Sequence, residues 1–186
     1  MHLDKIVRGV RKNDRKAQKA LYNQYSPLFM AIAMRYLKDL HDAEDVLTEA
    51  FLKIFTKVQS FEHKGSFEGW MKRIVINECL MALRQRKKQF LYVSIDEIDV
   101  EIEPEIISHL SAEELLDVIR ELPEGYRTIF NLYEIEGLKH REIAEELDIS
   151  INTSKSQLIM AKRKIREILK KNLSTNNHER TGSTAG

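Results

Sequence analysis

The sequence predicts an all-α protein of two small helical domains joined by a flexible acidic linker. Three observations lead there. Only seven Gly and three Pro occur in 186 residues, and a sheet protein would need more of these chain-punctuating residues for its turns. Apolar residues recur at helical spacing over most of the chain, and their 42% share supports a core in one ordinary domain or two small ones. Charge, finally, is segregated along the chain. Residues 1–90 carry 18 basic and 10 acidic side chains, residues 91–121 carry Arg120 against 10 acids, and residues 122–186 carry 11 against 9. Within 150–173 the count is 7 basic to 1 acidic, so two basic blocks flank an acidic stretch behind a formal net charge of +1. A polyanion feels such local fields, not the average.

Asp14 can cap a helix reaching about Lys38, with Ala20, Leu21, Leu28, Ala31, Ile32 and Leu37 as its apolar positions. Pro27 lies inside it and is expected to bend or divide it, because the ring clashes with the preceding turn. A second helix is expected from about His41 to Gln59. Its Leu47, Phe51, Ile54 and Val58 form an apolar stripe, and Asp42, Glu44 and Asp45 load its first turn favourably for the helix dipole. Ser66 can cap a third helix to about Lys88. Its apolar positions are Phe67, Trp70, Met71, Ile74, Val75, Cys79, Ala82 and Leu83, while Arg73, Asn77, Arg84 and Lys88 fall on one flank, joined by Arg86 and Lys87. Taken alone, a basic stripe of this kind also fits an ordinary solvated face.

The segment Phe90–His109 contains Pro104 and no sustained helical stripe. Its alternation also fits a short strand, but no second strand-like run exists to pair with it, so it reads as a linker. Ser111-Ala-Glu-Glu114 is a capping box opening a helix to about Glu121. Pro123 starts the next, which Gly137 ends. A short helix from Lys139 to Leu147, the turn Asp148-Ile149-Ser150 and a helix from Ile151 to about Lys171 follow. The last has a core stripe of Ile151, Ser154, Leu158, Ala161, Ile165 and Ile168, with Lys155, Ile159, Lys162, Arg163, Arg166 and Lys170 on its other side. The polar tail 174–186 is expected to be disordered. The domain boundaries expected are thus 1–88, a linker 89–109, 110–173 and the tail.

Two helices joined by so short a turn, the second basic on its outer face, make a helix–turn–helix. Such a helix fits the major groove of DNA, where its early residues reach base edges and its cations meet phosphates. Short helix pairs with basic surfaces also occur in proteins that never touch DNA, so the motif alone leaves both readings open.

Signals of chemistry are missing. The sequence has no phosphate-binding Gly-x4-Gly-Lys-Ser/Thr loop, no dinucleotide Gly triplet and no His-Glu-x-x-His. Cys79, the one cysteine, sits among apolar neighbours and reads as a buried inert thiol. The six histidines show no ligand spacing. We therefore expect no catalytic residue, no cofactor and no metal. The chain has no run of about 18 apolar residues and does not open with a signal peptide, so a soluble cytoplasmic protein without membrane insertion is expected.

The motifs also occur in a familiar order. Asp42-Ala-Glu-Asp-Val-Leu-Thr-Glu-Ala-Phe-Leu-Lys-Ile-Phe55 resembles the core-binding helix of extracytoplasmic-function (ECF) sigma factors, in region two of the sigma-70 family. Phe61-Glu-His-Lys-Gly-Ser-Phe-Glu-Gly-Trp-Met-Lys-Arg-Ile-Val-Ile-Asn77 looks like that family's −10 recognition loop and helix. Leu122-Pro-Glu-Gly-Tyr-Arg127, Glu142-Ile-Ala-Glu-Glu-Leu147 and Thr153-Ser-Lys-Ser-Gln-Leu158 are similar to region four. The resemblance covers about residues 15–171. The chain departs from the family at Thr48, where Gln is usual, at Asp148 and Asn152, where Gly is frequent, at Ser154, usually Val, and at Gln157 and Met160, usually Arg.

What the resemblance implies is an alternative sigma factor that binds core RNA polymerase and directs promoter-specific initiation. Region two would be a helical bundle at 1–88 and region four the helix–turn–helix at 110–173. Asp42, Glu44, Asp45, Thr48, Glu49, Leu52 and Phe55 would dock on the polymerase clamp helices, and region four would sit by the flap. Lys64, Ser66, Phe67, Trp70, Arg73 and Asn77 would read the −10 element, where melting requires aromatic walls and hydrogen-bond donors for an unstacked base; Phe67 and Trp70 also fit plain core positions. Arg84, Arg86, Lys87 and Lys88 would follow the phosphates. Lys155, Ser156, Ile159, Met160, Lys162, Arg163 and Arg166 would face the −35 groove. The linker, 21 residues from Gln89 to His109, spans roughly 70 Å when extended, about two duplex turns, so both domains can hold separated promoter elements with the avidity of a tethered pair. The implied partners are core RNA polymerase, promoter DNA and an anti-sigma factor. The competing readings are a helix–turn–helix regulator that does not bind core polymerase, and a protein-interaction adaptor indifferent to its basic stripes.

Overall fold

The computed structural model describes residues 3–62, 64–85 and 112–182, and it opens on a helix not anticipated from the sequence, α1 (Leu3–Arg11). Ile6, Val7 and Val10 are its buried face, a short i, i+1, i+4 stripe that is stable only against a neighbour. That neighbour is α2 (Arg15–Tyr36). Gly9 permits the approach, since a Cβ there would lie 2.5 Å from the Ala17 Cβ. Asn13 turns the chain with a left-handed φ of 56°, which Asn tolerates better than most residues.

Asp14 caps α2 as expected, its carboxylate accepting from Lys16 N at 2.8 Å. The buried face of α2 is Ala17, Leu21, Tyr25, Phe29, Ile32, Ala33 and Tyr36. Leu28 is exposed and Ala31 lies outside, so the expected register was partly wrong because it passed over the aromatic positions. Pro27 does not divide the helix, which runs through it. Pro removes one backbone donor on an exposed face, while Tyr25 and Phe29 on either side are held in the core.

Helix α3 (Leu40–Lys57) is capped by Asp39, whose carboxylate accepts from His41 N and Asp42 N. It ends in a 3-10 turn at Val58–Ser60. Leu47, Phe51, Ile54 and Val58 are all buried. Helix α4 (Phe67–Gln85) begins after Ser66, whose hydroxyl accepts from Gly69 N at 3.0 Å. Helices α2, α3 and α4 pack on one another, giving the first unit, Met1–Lys88, a three-helix core with α1 against α2 and the 3-10 turn. Between α3 and α4, Lys53 Nζ lies 2.7 Å from both oxygens of the buried Glu78 carboxylate. Glu78→Ala therefore leaves an ammonium without its partner. Because Lys53 is one-third exposed, water offsets part of the loss, and we expect about 1–2 kcal/mol, read as a lower urea midpoint.

The second unit, Gln89–Gly186, is also helical over its described residues, 112–182. Helix α5 (Ala112–Glu121) leads through Leu122 and Pro123 to α6 (Glu124–Phe130). There Arg127 is 2% exposed. Its guanidinium donates to Leu122 O at 3.0 Å and to Arg120 O at 3.5 Å, satisfying carbonyls at the end of α5 that have no partner within that helix. Burial holds the Arg127 pKa below its usual value, with the Glu124 carboxylate opposing. Helix α6 continues as a π turn, Asn131–Ile135, before Gly137 reverses the chain at a φ of 75°.

Helix α7 (His140–Leu147) and helix α8 (Ile151–Gly182) complete the unit. Asp148 between them is left-handed, φ 54°, a conformation that Asp reaches at modest cost. Asn152 lies inside α8 with no positive φ. Ser150 starts α8, its hydroxyl accepting from Thr153 N at 2.9 Å. Helices α5, α6 and α7 each pack on α8. Ser154, Leu158, Ala161, Ile165 and Ile168 are buried as expected, but Ile151 is 44% exposed. As the first residue of α8 it precedes the turn where the helix meets α7. The tail expected to lack structure is helical through Gly182; extending a helix already formed adds one hydrogen bond per residue without a new nucleus.

No strand occurs among the described residues. The linker 89–109, the cap Ser111 and residues 183–186 lie outside them.

Candidate polymerase-docking and nucleic-acid surfaces

Three surfaces gather the expected site residues. On α3, Asp42, Asp45 and Glu49 line one groove of about 410 Å³ against α4, with Lys53, Glu78, Met81 and Gln85 completing it. Its rim is acidic and its floor holds the Lys53–Glu78 ion pair. Glu44 lies to the side, 3.7 Å from His41. Leu52 is the outstanding member of this set, a large apolar side chain that is 52% exposed. Phe55 is half-buried and rests 5.8 Å from Phe51, tying the exposed edge to the core. Thr48 spends its hydroxyl on its own helix, donating to Glu44 O at 2.9 Å. That bond occupies the one donor its side chain has.

The second surface surrounds the Phe61–Trp70 loop. Phe61, Phe67 and Trp70 form an aromatic cluster with ring centroids 5.2–5.7 Å apart. Phe61 and Phe67 are buried and Trp70 is half-buried. Packing thus accounts for most of Phe67, and Trp70 keeps a free edge. Lys64 and Ser66 are exposed, although Lys64 reaches Glu62 at 2.7 Å. Arg73, Asn77 and Arg84 are all exposed along α4, so the structure keeps them on one open flank. Arg86, Lys87 and Lys88 lie outside the described residues.

An unanticipated element completes this second surface. A cleft of about 710 Å³ lies between the loop and α1, lined by Leu3, Asp4, Val7, Arg8 and Arg11 on one side and Phe61, Gly65, Ser66 and Phe67 on the other. Arg11 Nη2 donates to Phe61 O at 2.9 Å and Gln59 Nε2 donates to Arg11 O at 2.6 Å, so α1 is tied to the loop. The cleft offers cations, a hydroxyl and aromatic edges together, the groups that hold a nucleotide. Its sequence signal was the stripe Leu3, Ile6, Val7, Val10 with Arg8 and Arg11 on its polar side.

The third surface is α8. Lys155 and Arg163 are exposed, and Ser156, Ile159, Met160, Lys162 and Arg166 are half-buried. Not all are equally available. Lys162 Nζ pairs with Glu134 of the π turn at 2.9 Å. Arg163 Nε lies 3.4 Å from Glu167, whose other oxygen meets Lys164 at 3.0 Å. The hydrogen bond and charge of Lys164 hold the Glu167 carboxyl below its usual range. Ser156 donates back to Thr153 O at 3.1 Å. Gln157 is fully buried and faces away from this surface.

Nothing in these surfaces assembles a catalytic constellation. Among the described residues no group of three His, Cys, Asp or Glu side chains is placed to hold a metal, and no helix is long and apolar enough to cross a membrane.

Comparison with known proteins agrees with the order of these surfaces. The family model of Sigma-70 region 2 matches residues 21–89 and that of Sigma-70, region 4 matches residues 112–165, together about two thirds of the chain. The ECF RNA polymerase sigma factor SigE of Mycolicibacterium smegmatis is 32% identical over 160 residues, covering 83% of this chain; the chain spans 62% of that relative's length. SigW of Bacillus subtilis, also named an ECF RNA polymerase sigma factor, is 26% identical over 183 residues, covering 91% of this chain and 98% of its own. Among solved structures, the sigma factor RpoE in complex with the anti-sigma factor NepR from Bartonella quintana has the same fold, with a TM-score of 0.50 and 21% identity over 82% of this chain and 96% of that one.

Proposed function

Because the chain belongs to the ECF group of the sigma-70 family, we propose that it is an alternative sigma factor, which joins core RNA polymerase and selects promoters for initiation. The observation that carries this reading is the pairing of two units in one chain. An exposed apolar residue, Leu52, stands on α3 among acidic side chains in the first unit, and the second carries a cationic helix–turn–helix. A regulator acting alone would need only the second unit, so that reading is not favoured.

Each surface has a distinct task in this mechanism. On α3, Asp42, Glu44, Asp45 and Glu49 complement a basic partner, and Leu52 with Phe55 supplies the apolar anchor that a durable interface requires. That partner is the clamp helices of the polymerase, with region four against its flap. On α4, Arg73, Asn77 and Arg84 meet the −10 strand, with Arg86, Lys87 and Lys88 continuing along the phosphates. The cleft between α1 and the loop, near Lys64, Ser66, Phe67 and Trp70, receives an unstacked base. Binding energy gathered there offsets the few kcal/mol that unpairing costs. Lys155, Ser156, Ile159, Met160 and Arg163 face the −35 groove, and Lys162 and Arg166 flank it. An anti-sigma factor covering the same α3 and α8 faces would hold the protein inactive.

Charge reversal tests the two DNA surfaces. Arg73→Glu and Lys155→Glu, each assembled with purified core polymerase, are expected to lower initiation by about tenfold or more, the loss of one good contact plus repulsion, while both still bind core. Initiation unchanged in both variants would place DNA reading elsewhere.

A further inference from the structure

His140 stands where three elements of the second unit meet. It is the first residue of α7. Its ring lies along that of Tyr133 in the π turn, with centroids 4.4 Å apart and planes 23° apart. Its Nδ1 is 2.9 Å from Ser154 Oγ, and Ser154 is fully buried in α8. A buried hydroxyl without a partner costs about 1–3 kcal/mol. The imidazole supplies that partner, so the crossing of α7 on α8 is closed by a polar latch inside an otherwise apolar stripe.

The charges around the latch come from two elements. Lys155 and Lys162 of α8 oppose a charge on the ring, and Glu134 of the π turn favours one. Lys162 and Glu134 are already paired with each other at 2.9 Å, which leaves Lys155 as the exposed cation of the set. The positive end of the α7 dipole acts in the same direction as the lysines. Burial first, then Lys155 and Lys162, hold the His140 pKa below its ordinary 6.5.

A phosphate bound at Lys155 would cancel that cation's field at the ring and add its own negative potential. We propose that His140 is a proton-coupled positioning residue of promoter recognition: it holds α8 against α7 through Ser154 and takes up a proton when DNA neutralises Lys155. The proposal rests on the reading that α8 enters the −35 groove. Coupling of this kind is reciprocal, so protonation tightens DNA binding by the factor with which DNA favours protonation. Affinity is flat well above the pKa of the complex, rises as pH falls through it, and levels off below the lower pKa of the free protein. The fold responds with the opposite sign. Its contribution from neutral His140 is complete above the unfolded value and is lost as pH falls through the folded one. Mild acid thus loosens the free unit while strengthening its hold on DNA.

The test is an NMR titration of the His140 ring in the full chain, alone and with a duplex spanning the −35 segment of a promoter mapped from transcripts of the reconstituted enzyme. The expected result is a pKa below 6.5 in the free chain and a rise of about half a unit or more on DNA, worth about threefold in affinity between neutral and acid pH. In holoenzyme binding assays with the same duplex, His140→Gln should flatten that pH dependence. An equal His140 pKa in both states overturns the proposal, whatever the variant does. So does an equal slope in a folded His140→Gln protein. If neither protein engages the duplex at any pH, the −35 reading itself fails and takes the proposal with it.

Discussion

Leu52→Glu is expected to weaken assembly with core RNA polymerase severely while leaving the first unit folded. The side chain is already 52% exposed, so the substitution removes little from the core and stability should change by less than about 0.5 kcal/mol. Interface anchors of this kind are worth about 2 kcal/mol or more, and placing a carboxylate beside Glu49 and Asp45 adds like charge to a face already acidic. A loss of at least about thirtyfold in core affinity is expected, measured by competition with the unmodified chain for a limiting amount of core. Phe55→Ala should weaken both properties, because Phe55 also packs on Phe51. A Leu52→Glu protein that still assembles at full affinity would move the docking surface off this helix.

Arg127→Ala has the larger effect on stability, an expected loss of about 3–5 kcal/mol confined to the second unit. Three losses coincide there. The Leu122 and Arg120 carbonyls lose their donor, a side chain that is 2% exposed leaves a cavity, and the end of α5 loses the cation that complements its dipole. Natural domains hold only about 5–15 kcal/mol in total, so a unit this small should be largely unfolded. Circular dichroism melts will show it as loss of one transition. The first unit retains its own core of α2, α3 and α4, so core binding should persist in this variant while promoter-specific initiation fails.

Much of this architecture was legible from residue spacing. Asp14, Leu47-Phe51-Ile54-Val58 and the turn after Leu147 marked helix starts, a buried stripe and the helix–turn–helix, because caps and periodicity are local properties. Features that depend on a distant partner were less visible. Helix α1 is held by Gly9 against Ala17 and by Arg11 on Phe61, contacts between distant positions, so the wall it gives the loop cleft was missed. Glu78 carries no local signal of burial, because its partner Lys53 lies on α3, 25 residues earlier. Ser154 read as an imperfect core residue, and only the ring of His140, 14 residues earlier, explains it. Lys162 had the position of a DNA contact by helical phase, whereas Glu134 from another element claims its charge. Phe67 likewise followed a motif, and its packing against Phe61 and Trp70 depends on a residue outside its own helix.

The exposed Leu52 and the cationic face of α8 acquire a common purpose only when both units serve one larger assembly. Run-off transcription on fragmented genomic DNA, with purified core polymerase and this chain added separately and together, tests that purpose most directly. The account predicts discrete transcript starts only when both are present, each start preceded by a shared pair of upstream elements. Specific promoter binding by the chain alone, with no new starts on adding core, would contradict it.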